Sequence, residues 1–352
     1  MELVVAGVPV VVMRGGSGTG FYFLREDLPA DAGLRDELLL RVLGSPVDGI
    51  GEERSRASTV VVIGSSSAGD ADVDCRVLRV CGDEARVAGG QACEGTLAGA
   101  GAFAIERGLV AASRGRDAVR VRVAGGGGLT AAVVHVPVDD GGRPVYHGET
   151  AVCGVPGTAA RIIVEFRETK GAKLLPTGNV VDDLGGIEAT LIDNGTPVVL
   201  VEATALGVTG HESPTRLEYD DRLRSRVESL RLLAGELMGL GDVRGFGVPE
   251  MGLISPPADG GSLCARMFSP HRVHPGIGVM AGVSVGTAAA IPGSVAARVR
   301  GRRKRDVVRL EHPGGWVDVV AEVGYDGRTV TTGRTAVVST ARMLLDGTVH
   351  PR

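Results

Sequence analysis

The chain has 352 residues, with 38 Lys and Arg against 42 Asp and Glu and a formal net charge of −4. That length exceeds one ordinary hydrophobic core and predicts two domains, while the dispersed, nearly balanced charge excludes the electrostatic footprint of a nucleic-acid binder. No window is long and apolar enough for a membrane span, no leader pattern is read, and five cysteines lack metal-ligand spacing, so a cytoplasmic protein with free thiols and no metal is expected.

Glycine is abundant at 55 residues and aromatics scarce at 3%. Such a chain builds its core from Val, Leu, Ile and Ala on short strands joined by tight turns. In chain order, strands are expected at VVAGVPVVVM (4–13), STVVVIGSS (58–66), AVRVRVAGG (118–126), AAVVHVPV (131–138) and RIIVEF (161–166). Further strands are expected at ATLIDNGTPVVLVEAT (189–204), AARVRG (296–301), VDVVAEV (317–323) and TAVVST (335–340). Helices are fewer: Asp36–Leu43, Leu97–Leu109, Asp221–Leu240, Val285–Ala290 and Thr340–Asp346. The pattern is a β-rich α+β protein rather than a doubly wound sheet. The basic run Arg300–Arg305 reads as a solvated strand-turn edge, and the stripe Leu223, Val227, Leu230, Leu233, Leu237 and Leu240 as core packing of one helix.

Two segments share a grammar. In the first half, strands lead through GGQACEGTLAGAG to a small-residue helix, with Cys93 at its start. In the second, HPGIGVMAGVS leads to Ser284 and a helix VGTAAAI closed by Pro292-Gly293. A helix N-terminus offers unpaired N–H groups and partial positive charge, which suit carboxylates and lower a thiol's pKa. Cys93 is thus a candidate functional thiol, although an unpaired cysteine is as often a small buried hydrophobe. The run Gly15–Gly20 (GGSGTG) lacks the Lys of a phosphate loop. It reads instead as a turn presenting backbone N–H groups and Ser17, with Gly18 and Thr19, to a substrate oxygen. Thr177-Gly178-Asn179 is its counterpart in the second half or simply a structural turn, and His211 and His274 read as loop or packing residues.

A set of motifs occurs in order: Met13-Arg14-Gly15-Gly16, Asp27-Leu28-Pro29, Gly44-Ser45-Pro46, Ala98-Gly99 with FAIERGL (103–109), GVPGTAA (154–160) and KLLPTGN (173–179). They continue with Leu206-Gly207, Thr209-Gly210, Ser255-Pro256-Pro257, Ile291-Pro292-Gly293, His312-Pro313 and Thr340-Ala341-Arg342. From about residue 13 to 349 the chain resembles the 2-methylaconitate isomerase (PrpF) family, within the diaminopimelate epimerase-like superfamily. The resemblance implies two similar domains, each a β-barrel-like sheet around a central helix, with the active site in the cleft between them. The first is expected over 1–152, joined by 340–352, and the second over 153–339. It further implies a cofactor-independent shift of a proton and a C=C bond on a small carbon acid, which needs a base, an acid and donors for carboxylate and enolate.

On that resemblance the catalytic candidates are Cys93, Thr59, Ser284 and Glu94, where Thr59 matches a usual lysine and Ser284 a usual second cysteine. Substrate-binding candidates are Ser17, Gly18, Thr19, Ser58, Gly95, Thr96, Thr177, Gly178, Asn179 and Met280. The departures are electrostatic. Thr19 and Thr59 replace lysines, and Glu94, Glu52 and Glu53 add carboxylates, with Arg54 and Arg56 as compensation if they face the cleft. One unit charge about 6 Å away is worth roughly 3 kcal/mol at an effective dielectric near 20, so a substrate less anionic than aconitate is expected. Glu94 also acts to raise the Cys93 pKa. Lys173 and the other two lysines, Lys170 and Lys304, offer no ready replacement base. Alternative expectations are a cyclase for a larger, polyketide-like secondary metabolite and a non-catalytic binding protein. The partner is a small molecule, with no nucleic acid or membrane and a possible homodimer.

Overall fold

The computed structural model describes residues 7–351, except 45–49, 51–56, 91, 114–116, 125–130, 167–172, 270–271, 301–306 and 328. Outside the described residues therefore lie Ser45, Pro46, Glu52, Glu53, Arg54, Arg56, Lys170, Lys304 and the basic run beyond Arg300. The first strands are β1 (Val8–Gly15), β2 (Gly18–Leu24), β3 (Ser58–Ser65), β4 (Val73–Cys81), β5 (Arg86–Gly89), β6 (Ala118–Val123), β7 (Ala131–His135) and β8 (Ile162–Phe166). After them come β9 (Asp182–Asp183), β10 (Glu188–Asp193), β11 (Pro197–Glu202), β12 (Glu250–Ser255), β13 (Leu263–Phe268), β14 (Val307–His312), β15 (Gly315–Asp326), β16 (Thr329–Ser339) and β17 (Ala341–Val349). The helices are α1 (Ala32–Leu43), α2 (Glu94–Glu106), α3 (Pro214–Glu218), α4 (Asp221–Leu237), α5 (Val279–Ala290) and α6 (Val295–Val299). None is long and apolar enough to cross a membrane.

The chain divides into two compact units, Met1–Arg167 with Ser339–Arg352, and Glu168–Val338. Residues 153–166, which the sequence reading gave to the second domain, belong to the first because β8 there pairs with β7. In the first unit, β1 is flanked by β17 and β2, both antiparallel. The ladder then runs β2–β3 parallel, β3–β4 antiparallel, β4–β6 parallel, and β6–β7 and β7–β8 antiparallel. In the second unit, β10 is flanked by β9 and β11, both antiparallel. Its ladder continues β11–β12 parallel, β12–β13 antiparallel, β13–β14 parallel, and β14–β15 and β15–β16 antiparallel. The two sequences of pairings match step for step. Each unit also inserts its small-residue helix, α2 or α5, just before the strand that makes the second parallel pair.

Inside each unit the helix is wrapped by sheet. Contacts from α2 reach β1, β2, β3, β6, β7, β8 and β17, which only small side chains permit. A methyl group on Gly99 would sit 2.2 Å from the Tyr22 hydroxyl, and one on Gly101 would sit 2.5 Å from Val134 Cγ1. The outer side of each ladder carries a second layer. Under α1, Leu38, Leu39, Val42 and Leu43 pack on Phe21, Phe23 and Val60; in the second unit Leu223, Val227 and Leu230 of α4 pack on Leu191, Val199 and Leu253.

Three sequence expectations are corrected. The helix expected over Thr340–Asp346 is strand β17, because this segment completes the ladder beside β1. The strand expected at AARVRG begins inside α6, whose N-cap Ser294 accepts from the Ala297 N–H and so starts a helical turn. The α4 stripe holds for Leu223, Val227 and Leu230 but not beyond, since Leu233, Leu237 and Leu240 are exposed. There the buried face carries Ala234 and the fully buried Arg231, which bonds Glu228 and the Val243 carbonyl at 3.0 Å.

Candidate active site

The first unit gathers most of the expected chemistry at the start of α2. Cys93 is its N-cap residue, in extended conformation, and is the exposed member of the five free cysteines. Its sulfur accepts the Thr96 N–H, and Thr96 Oγ1 in return accepts the Cys93 N–H at 2.8 Å, a reciprocal capping box. Thr96 Oγ1 also lies 3.6 Å from Cys93 Sγ. Protein packed around the sulfur raises the Cys93 pKa, and the neighbouring Glu94 charge raises it further; hydrogen bonds from Thr96 and Gly95 offset part of this. The helix terminus alone would have lowered it. Here burial and the adjacent carboxylate act against the terminus. Burial raises the Glu94 pKa too, despite N–H donation from its own backbone and Gly95.

The β1–β2 turn lies directly on this helix start. A Cβ on Gly15 would meet Gly95 O at 2.0 Å, and one on Gly95 would meet Gly15 O at 2.3 Å. Glycine at both positions is what allows the two backbones to touch. Gly16, at φ +56°, lies under Glu94 Oε1 and Ser339 Oγ, each 3.4 Å from where its Cβ would be. Its N–H donates to Thr340 O at 2.8 Å, and its carbonyl accepts from Arg14 Nη1 at 2.7 Å. Ser17, Gly18 and Thr19 are exposed at the tip of the same hairpin. The turn therefore stands beside Glu94 and Gly95.

Other candidates are placed differently. Thr59 Oγ1 accepts from Arg79 Nη1 at 3.0 Å across the β3–β4 pair, and Ser58 beside it is buried. Ser284 is not at a helix start: α5 begins at Val279, and Ser284 is fully buried in its second turn. Its hydroxyl donates to Thr196 O at 2.8 Å and accepts the Asn194 N–H at 3.2 Å. Ser284 thus anchors the β10–β11 turn to α5, as Gly15 and Gly16 anchor the β1–β2 turn to α2. Met280 occupies the first turn of α5, with its methyl where a Gly195 Cβ would fall. Thr177 and Asn179 spend their side chains on Asp182, each at 2.8 Å, and the Gly178 N–H goes to Leu175 O. His274 Nδ1 accepts the Gly276 N–H at 3.0 Å, and the His211 N–H bonds Thr209 Oγ1.

Sequence reasoning missed Ser339 and Tyr22. Ser339 is fully buried, and among the described residues its hydroxyl has no hydrogen-bond partner. The Tyr22 hydroxyl donates to Thr96 O at 3.2 Å, and burial, with Cys75 and Cys93 nearby, raises its pKa well above the usual phenol value. No motif flags either: Ser339 reaches Gly16 through β-pairing across most of the chain, and Tyr22 sits in an apolar run. Among the described residues, no group of three or more His, Cys, Asp or Glu is placed to hold a metal.

A sheet-wrapped helix with a capped thiol and a half-buried carboxyl at its start, in a strand topology that a second unit repeats, gives a diaminopimelate epimerase-like α+β fold. The comparisons agree with that class. A family model described as PrpF protein matches residues 5–351. The (4E)-oxalomesaconate Delta-isomerase of Novosphingobium sp. (strain KA1) is 46% identical, covering 97% of this chain and 96% of that protein. The 4-oxalomesaconate tautomerase of Pseudomonas putida is 46% identical over 97% of this chain and 95% of its own. A crystal structure of methylitaconate-delta-isomerase superposes with a TM-score of 0.82 at 28% identity, covering 98% of this chain and 95% of that one. The chain belongs to the PrpF family, and it is an isomerase.

Proposed function

We propose that the protein shifts a carbon–carbon double bond in an unsaturated polycarboxylate of the oxalomesaconate kind. The observation that carries this reading is the 46% identity, over nearly the whole of each chain, to two enzymes named for that substrate. The helix start supplies a matching pair of proton carriers. Glu94, made more basic by burial, takes a proton from the allylic carbon as its carboxylate. The C–H electron pair forms the new double bond, and the old one delivers its electrons toward the substrate's conjugated oxygen. The dienolate charge is met by the Ser17 hydroxyl and donors of the exposed β1–β2 turn beside the start of α2. Cys93, held protonated by its raised pKa, then gives its proton to the distal carbon. That leaves thiolate and carboxylic acid, and proton transfer from Glu94 to Cys93 resets the site. No redox partner enters this balance.

The expectation of a less anionic substrate rested on two lysines replaced by Thr19 and Thr59 and on added carboxylates. Glu52 and Glu53 lie outside the described residues, and the two relatives at 46% identity are named for a polycarboxylate. The weight therefore moves to a polycarboxylate. The test is proton NMR of 4-oxalomesaconate, with 2-methylaconitate beside it, incubated with folded protein. Migration of the double bond in the first supports the reading; an unchanged spectrum for both substrates rejects it.

A further inference from the structure

Several strand arginines in this protein are matched by an acid. Arg309 lies directly opposite Asp318 in the β14–β15 ladder and bonds it at 2.7 Å, and Arg122 is paired with Asp74 across β4–β6 at 2.7 Å. The β1–β17 ladder has the opposite arrangement. Arg14 stands directly opposite Arg342, two like charges at a position where cross-strand neighbours interact most strongly. The opposition is created by a β-bulge: Val12 faces Leu345, but Met13 faces Met343, skipping Leu344. Without the extra residue, Met343 would face Arg14. A bulge re-aims the side chains that follow it, and this one aims a second cation at the first.

Both arginines line a pocket of about 400 Å³ within the first unit, closed by the segment 146–159. Its lining includes no Asp or Glu, and among the described residues neither arginine forms an ion pair. His147 and Thr158 add polar groups, and Val155, Pro156 and Met343 an apolar wall. Burial first, and Arg342 second, lower the Arg14 pKa, the mark of a cation lacking a counter-charge.

We propose that this pocket is a binding site for a small organic polycarboxylate, whose carboxylates bridge Arg14 and Arg342. The apolar wall suits a carbon skeleton and gives a bare inorganic anion nothing to pack against. Arg14 Nη1 also holds Gly16 O at 2.7 Å and Thr340 Oγ1 at 2.9 Å. Occupation would therefore fix the turn that lies on the start of α2. The site is argued from the β1–β17 ladder and pocket alone, so it stands or falls apart from the reaction proposed above.

The test is isothermal titration of tricarballylate at fixed ionic strength against wild type, Arg342→Gln, Arg14→Lys and Cys93→Ala, with unliganded melting temperatures measured alongside. The expected result is saturable binding that weakens at least tenfold in Arg342→Gln, at an unchanged melting temperature, and survives in Cys93→Ala. Binding unaffected by Arg342→Gln, lost in Cys93→Ala, or matched by inorganic phosphate overturns the proposal. Two sources of the carboxylate are separated by kinetics once turnover is measured. Competitive inhibition by tricarballylate, with a raised KM in Arg342→Gln, identifies the substrate's own remote carboxylate; a change in kcat at saturating substrate identifies a second, effector acid. Both patterns support the shared chemistry.

Discussion

Glu94 and Cys93 are sequence neighbours whose titrations are tied together. The Glu94 charge raises the Cys93 pKa, so Glu94→Gln should lower it: removing a negative charge favours the thiolate. Alkylation of Cys93 by iodoacetamide, followed by peptide mass mapping to separate it from the other cysteines, should move to lower pH in Glu94→Gln. A profile that stays in place or moves upward would mean the two groups are not coupled. The proposed mechanism needs Glu94 deprotonated and Cys93 protonated. Since burial raises both pKa values, the acid limb of kcat/KM should lie above 4.5, the ordinary glutamate value, and the basic limb above 9.0, the ordinary cysteine value. Cys93→Ala should lower kcat by about 10²- to 10⁴-fold, the usual worth of a positioned proton donor. At this scale the sequence was readable for Cys93, Glu94, Gly95 and Thr96, because a helix start is a local pattern. It was not readable for Ser339, whose place beside Gly16 depends on pairing between distant strands.

The element that makes the site possible is the contact between the β1–β2 turn and the first turn of α2. A methyl on Gly15 or Gly95 would strike backbone at 2.0 or 2.3 Å, and backbone yields less easily than a side chain. Gly15→Ala or Gly95→Ala should therefore cost at least the about 1–3 kcal/mol typical of overpacking, measured by urea denaturation, and should lower kcat as well. Gly89→Ala, with nothing within 4 Å of the added carbon, is the control and should leave both unchanged. Short runs of Val and Ile bounded by turns were legible as strands, as at β3, β7 and β8. The segment 340–349 was not: ARMLLDG has helix-forming residues, and only its place beside β1 makes it a strand. Ser284 was misplaced for a related reason. Glycine and methionine at 278–280 give a weak local start signal, while the helix is set by the Asn194–Thr196 turn seated on it.

For the whole chain, composition and valine runs pointed correctly to β-rich α+β architecture, and the shared grammar of glycines leading to a small-residue helix hinted at two halves of one design. The matched order of antiparallel and parallel pairings was hidden, since partner choice between strands is not written in any one of them. The first unit closes only when the chain returns to it as β17. Deleting residues 340–352 removes a whole neighbour of β1 and the Thr340 that Gly16 and Arg14 bind. That truncation should abolish activity and the cooperative melt of the first unit, followed by hydrogen exchange of the β1–β4 amides; retained protection there would show that β17 is dispensable. The central claim is that this family member moves a proton through Cys93 at the start of α2. Its most direct measurement is deuterium incorporation from D2O into 4-oxalomesaconate, followed by NMR with wild type and folded Cys93→Ala side by side. The account predicts rapid labelling with double-bond migration in wild type, and loss of double-bond migration in Cys93→Ala while Glu94 still exchanges the allylic proton. Migration at the wild-type rate in Cys93→Ala would contradict it.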